Sequence, residues 1–300
     1  VAENCEHDFL KEPLVLDEES VENGFIKAVG TTLGADDGIA IAYALAILSD
    51  TTLKHPRIEA VFTADEEVGM LGAAVFNFSK LQGRVLLNID SEEEGVFLTG
   101  CAGGMRCDVT IPLTATGRQG DLISVSIKGL IGGHSGDKIG TGRPSANVLM
   151  GRLLDGLRKK IDFSISSING GVVDNAISTA CEAEIVCDGD QGVIGEYGKY
   201  FEKIIKEEYL GIDDNISVFV GLKQNGEFEV SDEAGTGKVI SVLRAMPQGV
   251  IMRNAYDADM VETSLNLGIL RVEPSVMNMG YSLRSSYESA KKDLADRVTT

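Results

Sequence analysis

Apolar positions along this chain follow two different patterns. Over roughly the first hundred residues they cluster into runs. Residues 58–62 and 85–89 read as continuous apolar strands, the pattern of parallel strands buried on both faces. Residues 36–48 carry Ile39, Ala40, Ile41, Ala42, Tyr43, Ala44, Leu45, Ala46, Ile47 and Leu48, the content of a buried helix. Residues 70–81 are the predicted crossover helix between the two strands, so the βαβ unit predicts a right-handed parallel sheet. After Gly100-Cys-Ala-Gly-Gly104 the runs give way to alternation. Residues 122–128, 182–187 and 216–220 alternate apolar with polar side chains, predicting antiparallel strands with one wet face. Helices are predicted at 145–158, 193–208 and 235–245. A faint internal echo, Gly140-Thr-Gly-Arg and Gly235-Thr-Gly-Lys, each opening a helix, suggests two copies of one α/β unit.

The fold class predicted is therefore α/β: an incomplete parallel-sheet domain over 1–104 and an α+β domain with an antiparallel sheet over 105–290. Residues 291–300 are expected to start a return to the first domain. A length of 300 residues supports two domains.

Acids stand where the runs end. Glu66 and Glu67 follow the strand at 58–62, Asp90 follows that at 85–89, and Asp36 opens the helix at 36–48. Adjacent acids at a buried strand end are costly without a cation. Asp36, Glu67 and Asp90 are hard oxygen donors, which at one edge of a parallel sheet suggest a metal-binding cleft. In a two-metal hydrolase a shared carboxylate bridges ions about 3.5–4 Å apart, and coordinated water has a pKa lowered to about 7. Glu66, beside a ligand, is then the natural general base. Each acid has a plainer use: Asp36 as a helix N-cap, Asp90 as a turn cap, and Glu66 and Glu67 as first-turn acids of an exposed helix. Their joint placement favours the metal. His134, in Gly132-Gly-His-Ser-Gly136, fits a surface histidine and a substrate-facing donor equally well.

A formal net charge of -19 opposes nucleic acid or an anionic membrane as partner and favours divalent cations. No apolar run reaches membrane-spanning length. The five cysteines form no C-x-x-C pair and read as reduced thiols of a cytoplasmic protein. The opening Val1-Ala-Glu-Asn-Cys-Glu-His-Asp has no basic or apolar signal region, and the chain is expected to begin within a domain.

The set GTTLGADDG, FTADEEVGMLGA, LLNIDSEEEG, GCAGG and GGHSG resembles the aminoacyl-histidine dipeptidases. These are Xaa-His dipeptidases (carnosinases) of the zinc peptidase family that includes acetylornithine deacetylase. The resemblance runs from Val1 to about Arg284. It implies hydrolysis of small Xaa-His dipeptides by metal-activated water, with two divalent ions, Zn²⁺ first and Co²⁺ or Mn²⁺ as substitutes. It also implies a homodimer formed through the lid domain. By position, Asp36 corresponds to the bridging ligand, Glu67 and Asp90 to ligands of one zinc each, and Glu66 to the base. His134 corresponds to the lid histidine that polarises the scissile carbonyl, and Asn175 and Arg284 to substrate-holding lid groups. Asn175 equally fits a turn, and Arg284 a solvated strand residue.

The family's first His-x-Asp and its last histidine have no counterpart, since the only histidines are His7, His55 and His134. These residues alone are accordingly expected to be an internal fragment that binds zinc weakly and hydrolyses little. Two alternatives remain: a related di-zinc aminopeptidase or deacylase, and a dimerising module without catalysis.

Overall fold

The computed structural model describes residues 7–17, 21, 24–33, 37–66, 69–91 and 94–300. The chain divides into two compact units, Val1–Thr99 and Gly100–Thr300, so the boundary falls five residues before the one predicted.

In the first unit the described helices are α1 (Gly38–Ser49) and α2 (Leu71–Val75), followed by a 3-10 turn at Phe78–Lys80. Asp37 caps α1, its side chain accepting from the Ala40 amide at 3.3 Å, so the capping aspartate is the second of the pair. The predicted 70–81 helix is shortened because Phe76 is extended and the chain re-enters a separate 3-10 turn. The strands expected at 58–62 and 85–89 form no ladder among the described residues, where the unit's one bridge joins Leu16 to Ala28. Leu86 is 89% exposed and no α1 residue is buried, which corrects the expectation of a buried helix and strands. The physical reason is that these segments lack neighbouring strands and covering layers among the described residues. Glu59 also interrupts the first run. Its carboxylate accepts from the Gln82 and Gly83 amides at 2.8 Å each and ties the two segments together by side chain.

The second unit is organised around an eight-stranded sheet, antiparallel throughout. Its strands are β1 (Gly103–Pro112), β2 (Ala115–Lys128), β4 (Phe163–Gly170), β6 (Cys181–Cys187), β7 (Ser217–Ser231), β8 (Gly249–Arg253), β9 (Val261–Glu273) and β10 (Val276–Ser285). They lie in the order β1-β10-β9-β4-β6-β2-β7, with β8 beside the first half of β9. A two-stranded ribbon, β3 (Gly133–His134) with β5 (Ala176–Ile177), stands apart from the sheet. The helices are α3 (Ser135–Lys138), α4 (Ala146–Arg158), α5 (Gln191–Glu208), α6 (Glu233–Ala245) and α7 (Glu288–Thr299).

The alternation read from the sequence sets the two faces of this sheet. Ile123, Val125, Ile127, Ala183, Ile185, Leu265, Leu267, Met279, Tyr281 and Leu283 join Leu149, Leu153, Leu154, Leu157, Phe201, Ile205, Val239 and Ile240 in one apolar core. Four helices thus cover one face, and the opposite face carries polar side chains beside a small separate apolar cluster that includes Leu122 and Val186. The predicted duplication holds at the level of topology. With β5 and β8 set aside, α4-β4-β6-α5 and α6-β9-β10-α7 each run helix, antiparallel strand pair, helix, and α4 packs on α6. The local echo does not hold, because Gly140–Arg143 precedes α4 whereas Gly235 lies inside α6. Residues 291–300, expected to leave this domain, lie largely in α7, whose Leu294 and Val298 enter the same core.

Cys107, Cys181 and Cys187 are buried free thiols, and Cys101 is exposed. Burial pushes the Cys181 thiol far above its usual range, so it stays protonated and inert.

Candidate functional site

The acidic half of the expected site is built by a tight loop in the first unit. Asp65 and Met70 have φ of 61° and 56°, left-handed values that cost non-glycine residues energy and often mark functional turns. The Gly69 and Met70 amides both donate to the Glu66 carbonyl at 2.9 Å. Gly72 lies so close to Ala64 that a Cβ there would meet its carbonyl oxygen at 2.4 Å. Backbone bonds thus join residues 64–66 to 69–72, and Glu66 is exposed. Asp90 is exposed at the end of its segment. Asp36 and Glu67, two of the three expected metal ligands, lie outside the described residues. Among the described residues no three His, Cys, Asp or Glu side chains stand close enough to hold a metal ion. The expected donors, all carboxylates, are hard oxygen ligands that suit a divalent cation.

The second unit brings His134, Asn175 and Arg284 together. In the β3–β5 ribbon His134 pairs with Ala176, and the Ser135 amide donates to the Asn175 carbonyl at 2.7 Å. Glycines make the turn possible. Gly132 and Gly133 have φ of 63° and 122°, and a Cβ on Gly132 would strike Thr179 at 2.4 Å. Arg143 holds the turn by donating to the Gly132 carbonyl at 2.6 Å. Arg284 of β10 reaches His134 with its Nη2 3.4 Å from Nε2. A guanidinium only donates, so in this contact His134 Nε2 accepts and Nδ1 carries the proton. Gly136 lies against both, its Cβ position 2.9 Å from His134 Cε1 and 3.0 Å from Arg284 Cζ.

The platform beneath the ribbon is the polar face of the sheet. Arg284 pairs with Ser264 across β10–β9, and Ser282 pairs with Asn266 on one side and Arg106 on the other. Asn266 donates from Nδ2 to the Asp174 and Ala176 carbonyls at 2.9 and 2.8 Å, while Gln248 donates to its Oδ1 at 3.1 Å. Arg106 pairs with the Asp174 carboxylate at 2.6 Å. These bonds fix the Asp174-Asn175-Ala176 segment over the sheet. Sequence reasoning missed Arg106, Asn266 and Glu262. The period-2 pattern Glu262-Thr-Ser264-Leu-Asn266 was the available signal, since it sets three polar side chains on one strand face.

Chemically, the cluster offers a guanidinium and an imidazole in contact, with Asn175 held beside them through its backbone. That set suits the carboxylate and carbonyl of a small peptide. Two open clefts of about 320 and 540 Å³ lie elsewhere, between the end of α4 and the start of α6, lined by residues such as Arg158, Asp232 and Glu233. They share no lining residue with the cluster. Concavity alone does not outweigh the convergence of suitable polar groups at the ribbon.

Residues 125–212 match the peptidase dimerisation domain. The chain is 34% identical over 288 residues, 95% of its length, to the cytosol non-specific dipeptidase of Escherichia coli (strain K12), of which it spans 59%. A solved structure, the aminoacylhistidine dipeptidase from Vibrio alginolyticus, superposes with a TM-score of 0.75 at 34% identity, covering 99% of this chain and 60% of that one. An uncharacterized protein of Bacillus subtilis (strain 168) is 38% identical over 76 residues, 24% of this chain and 20% of that protein. The chain thus spans about three fifths of the length of the two dipeptidases it matches. Along nearly all of its own length the chain is similar to these two dipeptidases, and residues 125–212 within it match the peptidase dimerisation domain.

Proposed function

We propose that this chain serves a metal-dependent dipeptidase that releases histidine from small Xaa-His dipeptides. The observation that carries the reading is the meeting of His134, the Asn175 backbone and Arg284 at the β3–β5 ribbon, from segments far apart in sequence. Arg284 pairs with the substrate's terminal carboxylate, the bidentate geometry a guanidinium is built for. Asn175 holds the peptide backbone. His134, freed from Arg284 by that pairing and turned to donate, hydrogen-bonds the scissile carbonyl as negative charge develops on its oxygen. Glu66 removes a proton from the attacking water and returns it to the leaving amine.

Asp36, Glu67 and Asp90 are the residues that would hold two divalent cations, Zn²⁺ first, with Co²⁺ or Mn²⁺ as substitutes. When bound, such ions supply Lewis acidity that makes water a nucleophile at neutral pH. The dimerisation-domain match supports a homodimer formed through the second unit, and the named relative supports a cytoplasmic location. No helix among the described residues is long and apolar enough to cross a membrane.

A substrate panel tests this reading. Supplied with Zn²⁺, the protein is expected to act faster on β-alanyl-histidine and alanyl-histidine than on tripeptides or N-acyl amino acids. A preference for N-acyl amino acids would move the chain to the deacylases instead.

A further inference from the structure

Six buried side-chain polar atoms lack a hydrogen-bond partner among the described residues, and three of them, Ser135 Oγ, Glu262 Oε2 and Arg284 Nε, belong to one region. Buried polar groups are nearly always satisfied, so a cluster of exceptions points to a missing ligand. Glu262 is the least expected of the three. It is 5% exposed, and its backbone carbonyl accepts from the Ser286 amide at 3.0 Å, which continues the β9–β10 pairing. That register sets Glu262 on the same face as Ser264 and Arg284, one row along, within diagonal reach of long side chains.

The segment after His134 runs across this row. Gly136 touches Arg284, and four residues on, the Gly140 carbonyl accepts from Arg253 Nη2 at 2.9 Å while its Cβ position lies 2.9 Å from Val261. One carboxylate oxygen, Glu262 Oε1, is held by Asn254 Nδ2. Asn254 also accepts from the Tyr256 and Asp257 amides, so the carboxylate is anchored to an ordered turn. The other oxygen has an acceptor's lone pairs and no donor.

We propose that Glu262 is a specificity-determining residue whose free carboxylate oxygen accepts a hydrogen bond from the imidazole N–H of the substrate's terminal histidine, while Arg284 holds the carboxylate of that residue. The proposal rests on the dipeptidase reading and assigns it a side-chain subsite. A buried acceptor without a donor discriminates strongly against a ligand that cannot supply one.

The test is calorimetric titration of β-alanyl-histidine and β-alanyl-alanine into the parent and Glu262→Gln proteins. Glutamine keeps an oxygen for Asn254 and turns the other end into a donor, so it reverses only the free position. The parent is expected to prefer β-alanyl-histidine by about tenfold or more. Glu262→Gln is expected to erase that preference and leave β-alanyl-alanine binding unchanged. A preference retained in Glu262→Gln, or an equal loss for both dipeptides, overturns the proposal. If Glu262→Gln melts early, Glu262→Asp, which keeps the charge but shortens its reach, takes its place with the same expected loss of preference. If the parent binds both dipeptides and Arg284→Ala abolishes both while Glu262→Gln keeps the preference, only the subsite fails. If the parent binds neither, the dipeptidase reading fails and the subsite with it.

Discussion

Glu66→Gln is expected to slow histidine release by about 10²- to 10⁴-fold while dipeptide binding stays within about twofold, the range seen for loss of a positioned general base. Glu66 sits on a turn whose shape depends on backbone rather than on its carboxylate. The Gly69 and Met70 amides bond its carbonyl, and Gly72 packs against Ala64. Glutamine fills the same volume and leaves those contacts intact, but it cannot accept and return a proton. The measurement is free histidine formed in long incubations of parent and variant under the same Zn²⁺, read as a ratio so that the absolute rate does not matter. A ratio near one would remove Glu66 from the chemistry. Loss of binding in parallel would recast it as a structural or ligand residue.

Arg284→Ala is expected to weaken β-alanyl-histidine binding by about 10²-fold, since removing one member of a desolvated charge pair costs about 2–5 kcal/mol. The side chain is half-buried, its Nε has no partner among the described residues, and its Nη2 makes only a 3.4 Å contact with His134. Little in the folded protein competes with a carboxylate for this guanidinium. The substitution leaves the apolar core alone, because Leu283 and Tyr281 point into it and Arg284 points away. A melting temperature close to the parent's should accompany the lost affinity. Arg284→Lys keeps the charge but not the fork and should recover part of the binding. Unchanged affinity in Arg284→Ala would place the carboxylate elsewhere.

The second unit was legible in the sequence to the extent that its strands alternate. Residues 122–128 and 182–187 declared one wet face, and the structure pairs them as β2 and β6 with Ser124 and Glu182 hydrogen-bonded on that face. Three helices came within two residues of their predicted starts, because each carries an amphipathic face against the same core. The β3–β5 ribbon was not legible. It is two residues wide on each side, too short for any periodicity, and what holds it are long-range bonds from Asn266, Arg143 and Arg106.

In the first unit the same reasoning overreached. Runs at 58–62 and 85–89 indicate strands only where other strands lie beside them, and a hydrophobic stretch says nothing about which partners are at hand. The site divides in the same way. His134, Asn175 and Arg284 came from motif resemblance and meet in space, whereas Glu262 belongs to no motif and became visible only through an unpartnered oxygen.

The most direct test of where the substrate sits is hydrogen exchange, read by mass spectrometry, with and without β-alanyl-histidine. Dipeptide is expected to slow exchange in 133–136, 174–177 and 282–285, and Arg284→Ala should abolish that protection. Protection centred instead on 158–163 and 232–237, beside the clefts at the α4–α6 junction, would contradict the placement of substrate at the ribbon.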